Sequence, residues 1–133
     1  MLVGFEHVGM TVSNLDRSIE FYELLGLRLR LRKRQPNGGE VAFMDAGGGQ
    51  LEMGQPPGTV VTPARRPVKG EAGMAHLTLA VDDVDADYRA LTEAGVVGME
   101  APRAAHNSEI LSKVAFVLDP DGIVIELAER RAP

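Results

Sequence analysis

Apolar and polar residues alternate at the start of the chain and then change to a helical spacing. Residues 3 to 12 alternate so that the bulkier side chains share one face of a strand, while His7 lies on the other face. Ser13 or Asn14 suits a helix N-cap, and Gly26 suits the helix end. Between them the apolar residues at helical spacing are Leu15, Ile19 and Tyr22. The pattern predicts a strand followed by an amphipathic helix.

The same arrangement recurs in the second half of the chain. His76 opens an alternating segment, Asp82 or Asp83 suits the N-cap, and Gly95 ends the helix. The three apolar helix positions, each 69 residues after its counterpart, are Val84, Tyr88 and Leu91. The repetition of the N-cap residues, the apolar helix positions and the glycine at the helix end indicates an internal duplication.

Three further strands are predicted after each helix, so each half is a βαβββ module. Their ranges are about 27 to 34, 39 to 46 and 49 to 54 in the first half, and about 96 to 101, 111 to 118 and 123 to 128 in the second. Tight-turn residues separate the last two strands of each half, as in hairpins. The segment from 55 to 73 has four prolines and no sustained period, which marks a linker.

Four polar residues on these strands are candidate metal ligands: His7, Glu52, His76 and Glu126. Each half has a His on its first strand and a Glu on its last. The two His residues are 69 positions apart and the two Glu residues 74, which fits a second half with five extra residues in its middle. Taken singly, each is most simply a solvated side chain, but their joint repetition favours one metal site.

Strand alternation predicts where these four side chains point. On the strand of Glu52, Leu51 and Met53 point to the opposite side, and on the strand of Glu126, Ile125 and Leu127 do the same. The bulky face is the one that a helix covers. We therefore expect the four candidates on the uncovered face of a curved sheet, in a polar cleft lined by small residues.

Composition narrows the function classes. The 133 residues are 44% hydrophobic and 25% charged, as in ordinary globular proteins. A net charge of −5 argues against a general nucleic-acid binder. The absence of cysteine excludes disulfides and thiolate ligands, so a metal must be held by nitrogen and oxygen. Without an apolar span or a secretion signal, the expected location is the cytoplasm.

The chain resembles the vicinal oxygen chelate superfamily, which includes glyoxalase I, methylmalonyl-CoA epimerase, extradiol dioxygenases and the fosfomycin and bleomycin resistance proteins. The segments that carry the resemblance are HVGMTVSNLDRSIEFY, GQLEM, AHLTLAVDDVDA and AFVLDPDGIVIELAE. It implies an α+β fold of two tandem βαβββ modules that form a curved mixed sheet around a metal cleft. It also implies one domain over 1–133, with modules about 1–56 and 72–130 and a linker about 57–71. His7, Glu52, His76 and Glu126 match the four ligand positions.

The complete quartet is most similar to bacterial glyoxalase I, or lactoylglutathione lyase, and then to the epimerases, which usually have Gln where Glu52 stands. Extradiol dioxygenases lack a fourth protein ligand, and resistance proteins that sequester drugs have generally lost the set. Two departures weaken the link to glutathione: Thr11 replaces a common Arg, and the helix end FYELLG is one residue short. A different thiol, a CoA thioester or an uncharged ketone is then the alternative substrate.

The resemblance implies a lyase or isomerase that moves a proton α to a carbonyl. It assigns the catalytic base first to Glu126 and second to Glu52, and leaves the two His residues as fixed ligands. Donor chemistry suits one divalent ion per site, nickel, zinc, cobalt or manganese, with iron less favoured. The expected partners are a small-molecule substrate, such as a hemithioacetal or a CoA thioester, and a second copy of the chain, with no nucleic acid and no membrane.

Two other features have open interpretations. Residues 27 to 34 alternate so that Arg28, Arg30 and Arg32 form one basic face, which is either a solvated strand edge or an anchor for a substrate carboxylate or phosphate. Three cations in the predicted linker are weaker candidates for the same role as a substrate anchor: Arg65, Arg66 and Lys69. His106 lies in a predicted loop, where a solvated imidazole is the simplest expectation and a contact with substrate the alternative.

Overall fold

The computed structural model describes residues 1–62 and 69–132 and contains two compact units, Met1–Thr62 and Pro63–Pro133. The first unit consists of β1 (His7–Thr11), α1 (Leu15–Leu24), β2 (Arg28–Arg34), β3 (Glu40–Asp45) and β4 (Gln50–Gln55). The second consists of β5 (Leu77–Ala80), α2 (Val84–Glu93), β6 (Val97–Ala104), β7 (Leu111–Leu118) and β8 (Val124–Arg130). This confirms the α+β fold class of two tandem βαβββ modules. That both modules form one domain stays a prediction.

Each module forms its own four-stranded mixed sheet. The strand order is β1-β4-β3-β2 in the first module and β5-β8-β7-β6 in the second. The first strand pairs in parallel with the last, and the other neighbours are antiparallel. The first and last strands of a module are therefore adjacent in space although they are far apart in sequence.

Both helices begin and end where the sequence predicts. The Asn14 side chain accepts a hydrogen bond from the Arg17 amide at 3.1 Å, and Asp83 does the same for Ala86 at 3.0 Å. Gly26 and Gly95 follow the helices with φ of +96° and +93°, a conformation that glycine adopts readily. Within residues 1–62 and 69–132, neither helix has the length or the apolar character to cross a membrane.

A second contact holds each helix start, and the sequence pattern did not reveal it. The Leu15 amide donates to Oε1 of Gln55 at 2.7 Å, and the Val84 amide donates to Oε2 of Glu129 at 2.8 Å. Gln55 and Glu129 lie on β4 and β8, the strands that carry Glu52 and Glu126. The strand with the candidate ligand therefore also satisfies a free amide of its own module's helix.

The helix of each module packs on its own sheet. In the first module α1 packs against β2, β3 and β4, and in the second α2 packs against β6, β7 and β8. Leu15 and Tyr22 of α1 are at most 1% exposed, as are Met44 and Met53 of the sheet. Burial of these apolar surfaces is the main favourable contribution to folding.

Two strands differ in length from the prediction. β1 begins at His7 rather than residue 3, because its partner β4 begins at Gln50, which lies opposite His7. β6 continues to Ala104 rather than 101, although Pro102 lies within it. β6 is at the end of its sheet, and its register with β7 shifts between Glu100 and Arg103. A bulge on an edge strand tolerates a proline, since no ladder hydrogen bond is lost.

The prediction of a single basic face on β2 is wrong. The register with β3 shifts between Leu29 and Leu31, which lie opposite Met44 and Phe43. Since Met44 and Phe43 point to opposite sides of β3, the shift separates the two leucines, and it separates Arg28 from Arg32 in the same way. Simple alternation fails here because a bulge adds one residue to the strand.

We expect Gln55→Ala and Glu129→Ala each to lower the free energy of unfolding by about 1 kcal/mol, because each leaves a helix amide without its acceptor. Urea denaturation measures the change. Glu20→Ala, on the exposed surface of α1, is the matched control and should be near neutral. Equal stability of all three variants would show that the strand-to-helix hydrogen bonds contribute nothing.

Asp87 on α2 provides a pH-dependent test of the second module. Burial, and then the charges of Asp82 and Asp83, raise the pKa of Asp87 above its usual value. A carboxyl whose pKa rises on folding destabilises the native state when it is ionised, and this cost disappears as the pH falls. Asp87→Asn should therefore raise the Tm at pH 7 by about 1–2 °C and have no such effect near pH 3. A gain that persists at pH 3 would contradict this.

Candidate metal centre

In the first module the parallel pairing of β1 and β4 brings His7 and Glu52 together. Gly9 lies opposite Glu52 in the register, and Nε2 of His7 is 3.3 Å from Oε2 of Glu52. Both side chains are 38% exposed. An imidazole nitrogen and a carboxylate oxygen therefore lie close together where both are accessible to solvent.

In the second module β5 and β8 bring His76 and Glu126 together in the same way. His76 directly precedes β5, Thr78 lies opposite Glu126, and Nε2 of His76 is 3.9 Å from Oε2 of Glu126. The Thr78 hydroxyl donates to Oε1 of Glu126 at 3.0 Å. Glu126 is only 12% exposed, so it is the better shielded of the two carboxylates.

An aromatic ring lies beside each imidazole, and the alternation pattern of the sequence does not indicate either ring. Phe43 lies edge-on to His7 with ring centres 6.0 Å apart, and Phe116 lies edge-on to His76 at 5.5 Å. Phe43 pairs with Glu52, and Phe116 pairs with Glu126. The second hairpin is one residue longer than the first, so the phenylalanines are 73 positions apart rather than 74. Because of this difference of one position, the offset of 74 that relates the two Glu residues does not relate the two phenylalanines.

The predicted division of faces is confirmed within each module, but the polar lining is not. Leu51, Met53, Ile125 and Leu127 are at most 2% exposed, whereas the neighbouring Glu52 and Glu126 are partly exposed. In the second module, however, the face of Glu126 also carries a buried apolar cluster. Its members are Ala105, Val114 and Ala128, with Leu111 and Phe116 packed against them. The face of Glu126 is therefore partly apolar, and the expected polar cleft lined by small residues stays a prediction.

The donor atoms of each module fit a divalent metal ion. Two ligand atoms about 2.1 Å from an ion lie about 3.4 Å apart at a tetrahedral angle, and about 4.2 Å apart on opposite sides. The separation of 3.3 Å is close to the tetrahedral value, and that of 3.9 Å lies between the two values. Among residues 1–62 and 69–132, no three His, Asp or Glu side chains are grouped closely enough to hold a metal. Each module by itself brings two candidate donor side chains together.

Glu6 is a further polar neighbour of His7. One oxygen of Glu6 contacts Nδ1 of His7, and the other accepts a hydrogen bond from the Gln50 side-chain amide at 3.0 Å. The hydrogen bond between Glu6 and His7 raises the pKa of His7 and lowers the pKa of Glu6. The two pKa values shift in opposite directions, as expected for a pair in which each charge stabilises the other.

The arginines of β2 pair with carboxylates of their own module. Arg28 lies 3.3 Å from Asp45, and Arg32 lies 2.6 Å from both Asp16 on α1 and Glu40 on β3. β2 is at the end of its sheet, which fits the interpretation as a solvated edge. His106 is exposed in a bend between β6 and β7, as predicted. The prediction for Arg65 and Arg66 lies outside the described residues, and Lys69 is exposed.

Arg103 is a cation on the same face of the second module as Glu126, a position that the sequence pattern does not indicate. Its guanidinium carbon lies 5.9 Å from the centre of the Phe116 ring, the ring that supports His76. It also pairs with Glu100. Its position on this face follows from the bulge in β6, so a count of alternating positions does not find it. Stacking on a ring holds a guanidinium in place while leaving donors available.

Comparisons with known proteins agree with this architecture. Residues 4–127 match the Glyoxalase/Bleomycin resistance protein/Dioxygenase superfamily. Lactoylglutathione lyase of Haemophilus influenzae is 34% identical over 132 residues, which are 95% of this chain and 92% of that protein. Lactoylglutathione lyase of Neisseria meningitidis serogroup A is 30% identical over 128 residues, 95% of this chain and 90% of that one.

A solved structure gives the same result at the level of the fold. The crystal structure of SMU.1112c superposes with a TM-score of 0.77 at 29% identity and covers 97% of this chain and 100% of that one. The matched segments extend across both modules and include all four candidate ligands. The chain therefore belongs to the glyoxalase/bleomycin resistance protein/dioxygenase superfamily, the vicinal oxygen chelate proteins.

Proposed function

We propose that this protein is a divalent-metal-dependent lyase or isomerase of the glyoxalase I type, which moves a proton α to a carbonyl group. The observation that carries the proposal is the repeated approach of an imidazole to a carboxylate, His7 to Glu52 at 3.3 Å and His76 to Glu126 at 3.9 Å. The relatives named lactoylglutathione lyase match this chain across 90% and 92% of their own length, and they support the same reaction class.

The proposed ligands are His7, Glu52, His76 and Glu126, and the donor set suits nickel, zinc, cobalt or manganese. When bound, the ion supplies Lewis-acid stabilisation of negative charge on the substrate oxygens. The two imidazoles hold fixed positions because Phe43 and Phe116 support their rings. They therefore act as constant ligands and do not transfer the proton.

Glu126 is the proposed base and Glu52 the second choice. Thr78 holds Oε1 of Glu126 while Oε2 lies toward His76, so one oxygen is positioned and the other is available to take a proton. The low exposure of Glu126 keeps water away from that oxygen. Glu52 is three times more exposed and faces Gly9, which has no side chain to hold it. A shielded, oriented carboxylate is the better general base.

Epimerisation of a CoA thioester is the second candidate, and Thr11 favours it. Thr11 is exposed at the end of β1, where many glyoxalases have an arginine for the glutathione carboxylate. The segment VAFMDAGGGQLEMGQPPG also resembles the epimerases. Ring cleavage is disfavoured because Glu52 occupies a position that oxygen or the diol needs, and sequestration is disfavoured because the ligand set is complete.

The first experiment measures metal content and turnover. The protein is stripped with a chelator and reloaded separately with nickel, zinc, cobalt or manganese. Methylglyoxal is then tested with glutathione and with other thiols, alongside epimerisation of methylmalonyl-CoA and colour formation from catechols with ferrous iron. We expect reloading to restore the first or second activity and no catechol product. Tight binding of a small molecule without turnover would favour a sequestering protein instead.

The second experiment tests the base. Glu126→Gln keeps the size of the side chain and removes the proton acceptor, so kcat should fall about 10²–10⁴-fold. Glu52→Gln should reduce metal affinity and lower kcat less. Glu20→Gln on the exposed face of α1 is the control and should retain both properties. Unchanged metal content and turnover in Glu126→Gln would show that the site assignment is wrong.

We also propose a homodimer, as the resemblance implies. Mixing inactive His7→Ala and His76→Ala proteins tests whether the ligand pairs of one site come from two chains. Recovery of activity on mixing is expected for a shared site, because one of the two sites then regains a full ligand set. Failure to recover activity in a mixture shown to contain heterodimers would assign all four ligands to one chain.

A further inference from the structure

His7 differs from His76 in having a carboxylate on each side of its ring. Glu52 lies 3.3 Å from Nε2, and Glu6 contacts Nδ1. A neutral imidazole carries one hydrogen, and a carboxylate can only accept a hydrogen bond. Both carboxylates can accept that hydrogen, but Glu6 is in direct contact with Nδ1 whereas Glu52 is 3.3 Å from Nε2. Glu6 therefore favours the form of His7 with its hydrogen on Nδ1, which leaves the lone pair of Nε2 available for a metal ion.

Strand β4 fixes the position of Glu6. The Gln50 side-chain amide donates to Oε1 of Glu6 at 3.0 Å, and the Gln50 backbone amide donates to the Glu6 carbonyl at 2.9 Å. Gln50 is also the residue that pairs with His7 in the parallel register. The same strand therefore holds Glu52 on one side of the imidazole and, through Gln50, Glu6 on the other.

The second module has no counterpart of this carboxylate. Ala75 precedes His76 and offers no side-chain acceptor. Instead, Thr78 donates to Glu126, whereas the matching position in the first module is Gly9. The first module thus has a contact that orients the imidazole, and the second has a contact that orients the carboxylate.

We propose that Glu6 is a positioning residue for metal binding, which holds His7 as the Nδ1–H tautomer and presents Nε2 to the ion. This inference rests on the proposed function, since it assigns His7 as a ligand. A carboxylate behind a ligating imidazole fixes the tautomer and ring orientation and makes the nitrogen a better donor, and its loss typically weakens metal affinity 10–100-fold.

The first readout needs no metal. Nitrogen-15 NMR of the metal-free protein, at a pH where His7 is neutral, reports which ring nitrogen carries the hydrogen. We expect Nδ1–H at His7 in the wild type, loss of that preference in Glu6→Ala, and its retention in Glu6→Gln, whose amide oxygen still accepts. His76 is the internal reference and should not change in either variant. A wild-type His7 with its hydrogen on Nε2 would overturn the proposal.

The second readout is the affinity for cobalt(II) or zinc, measured by titration of the stripped protein. We expect Glu6→Ala to raise Kd about 10–100-fold, Glu6→Gln to restore part of the loss, and Glu20→Ala to match the wild type. His7→Ala tests the ligand assignment separately. A Kd that does not change in His7→Ala would show that the proposed metal site is wrong. A Kd that depends on His7 but not on Glu6 would contradict only the positioning role of Glu6. The cobalt absorption spectrum should also differ between wild type and Glu6→Ala.

Discussion

The parallel pairing of the first and last strands of each module is the constraint on which the candidate site depends. A parallel pair requires a long crossover, and here the helix and two strands of the module supply it. The paired strands are the ones that present the His and the Glu of each module. These two residues are 45 positions apart in the sequence in the first module and 50 in the second. Without this pairing, the imidazole and the carboxylate would lie in separate parts of the module.

The last strand of each module has more than one role. It presents the candidate ligand on one side, packs buried aliphatic side chains on the other, and supplies Gln55 or Glu129 to the start of the helix. Glu52 and Gln55 lie on the same six-residue strand. A change that shifts the register of this strand would therefore disturb the helix and the ligand pair together.

The duplicated modules have the same order of helix and strands but differ in the polar contacts around the candidate ligands. Glu126 is shielded and held by Thr78, whereas Glu52 is open to solvent and faces a glycine. His7 contacts Glu6, whereas the residue before His76 is an alanine. Duplication gives each module the same pair of candidate ligands, and these few substitutions give the two carboxylates different surroundings.

The sequence by itself determined the two βαβββ modules, the helix limits and the four candidate ligands, because these follow from local periodicity, capping residues and internal repetition. Tertiary structure decided the rest. The bulge in β2 split the basic face and the bulge in β6 placed Arg103 beside Phe116, since register depends on the partner strand and not on the order of residues. The contacts of Gln55, Glu129 and Phe43, and that of Glu6 with Gln50, join residues that are far apart in the sequence. Only the folded chain brings such residues within hydrogen-bonding or ring-contact distance.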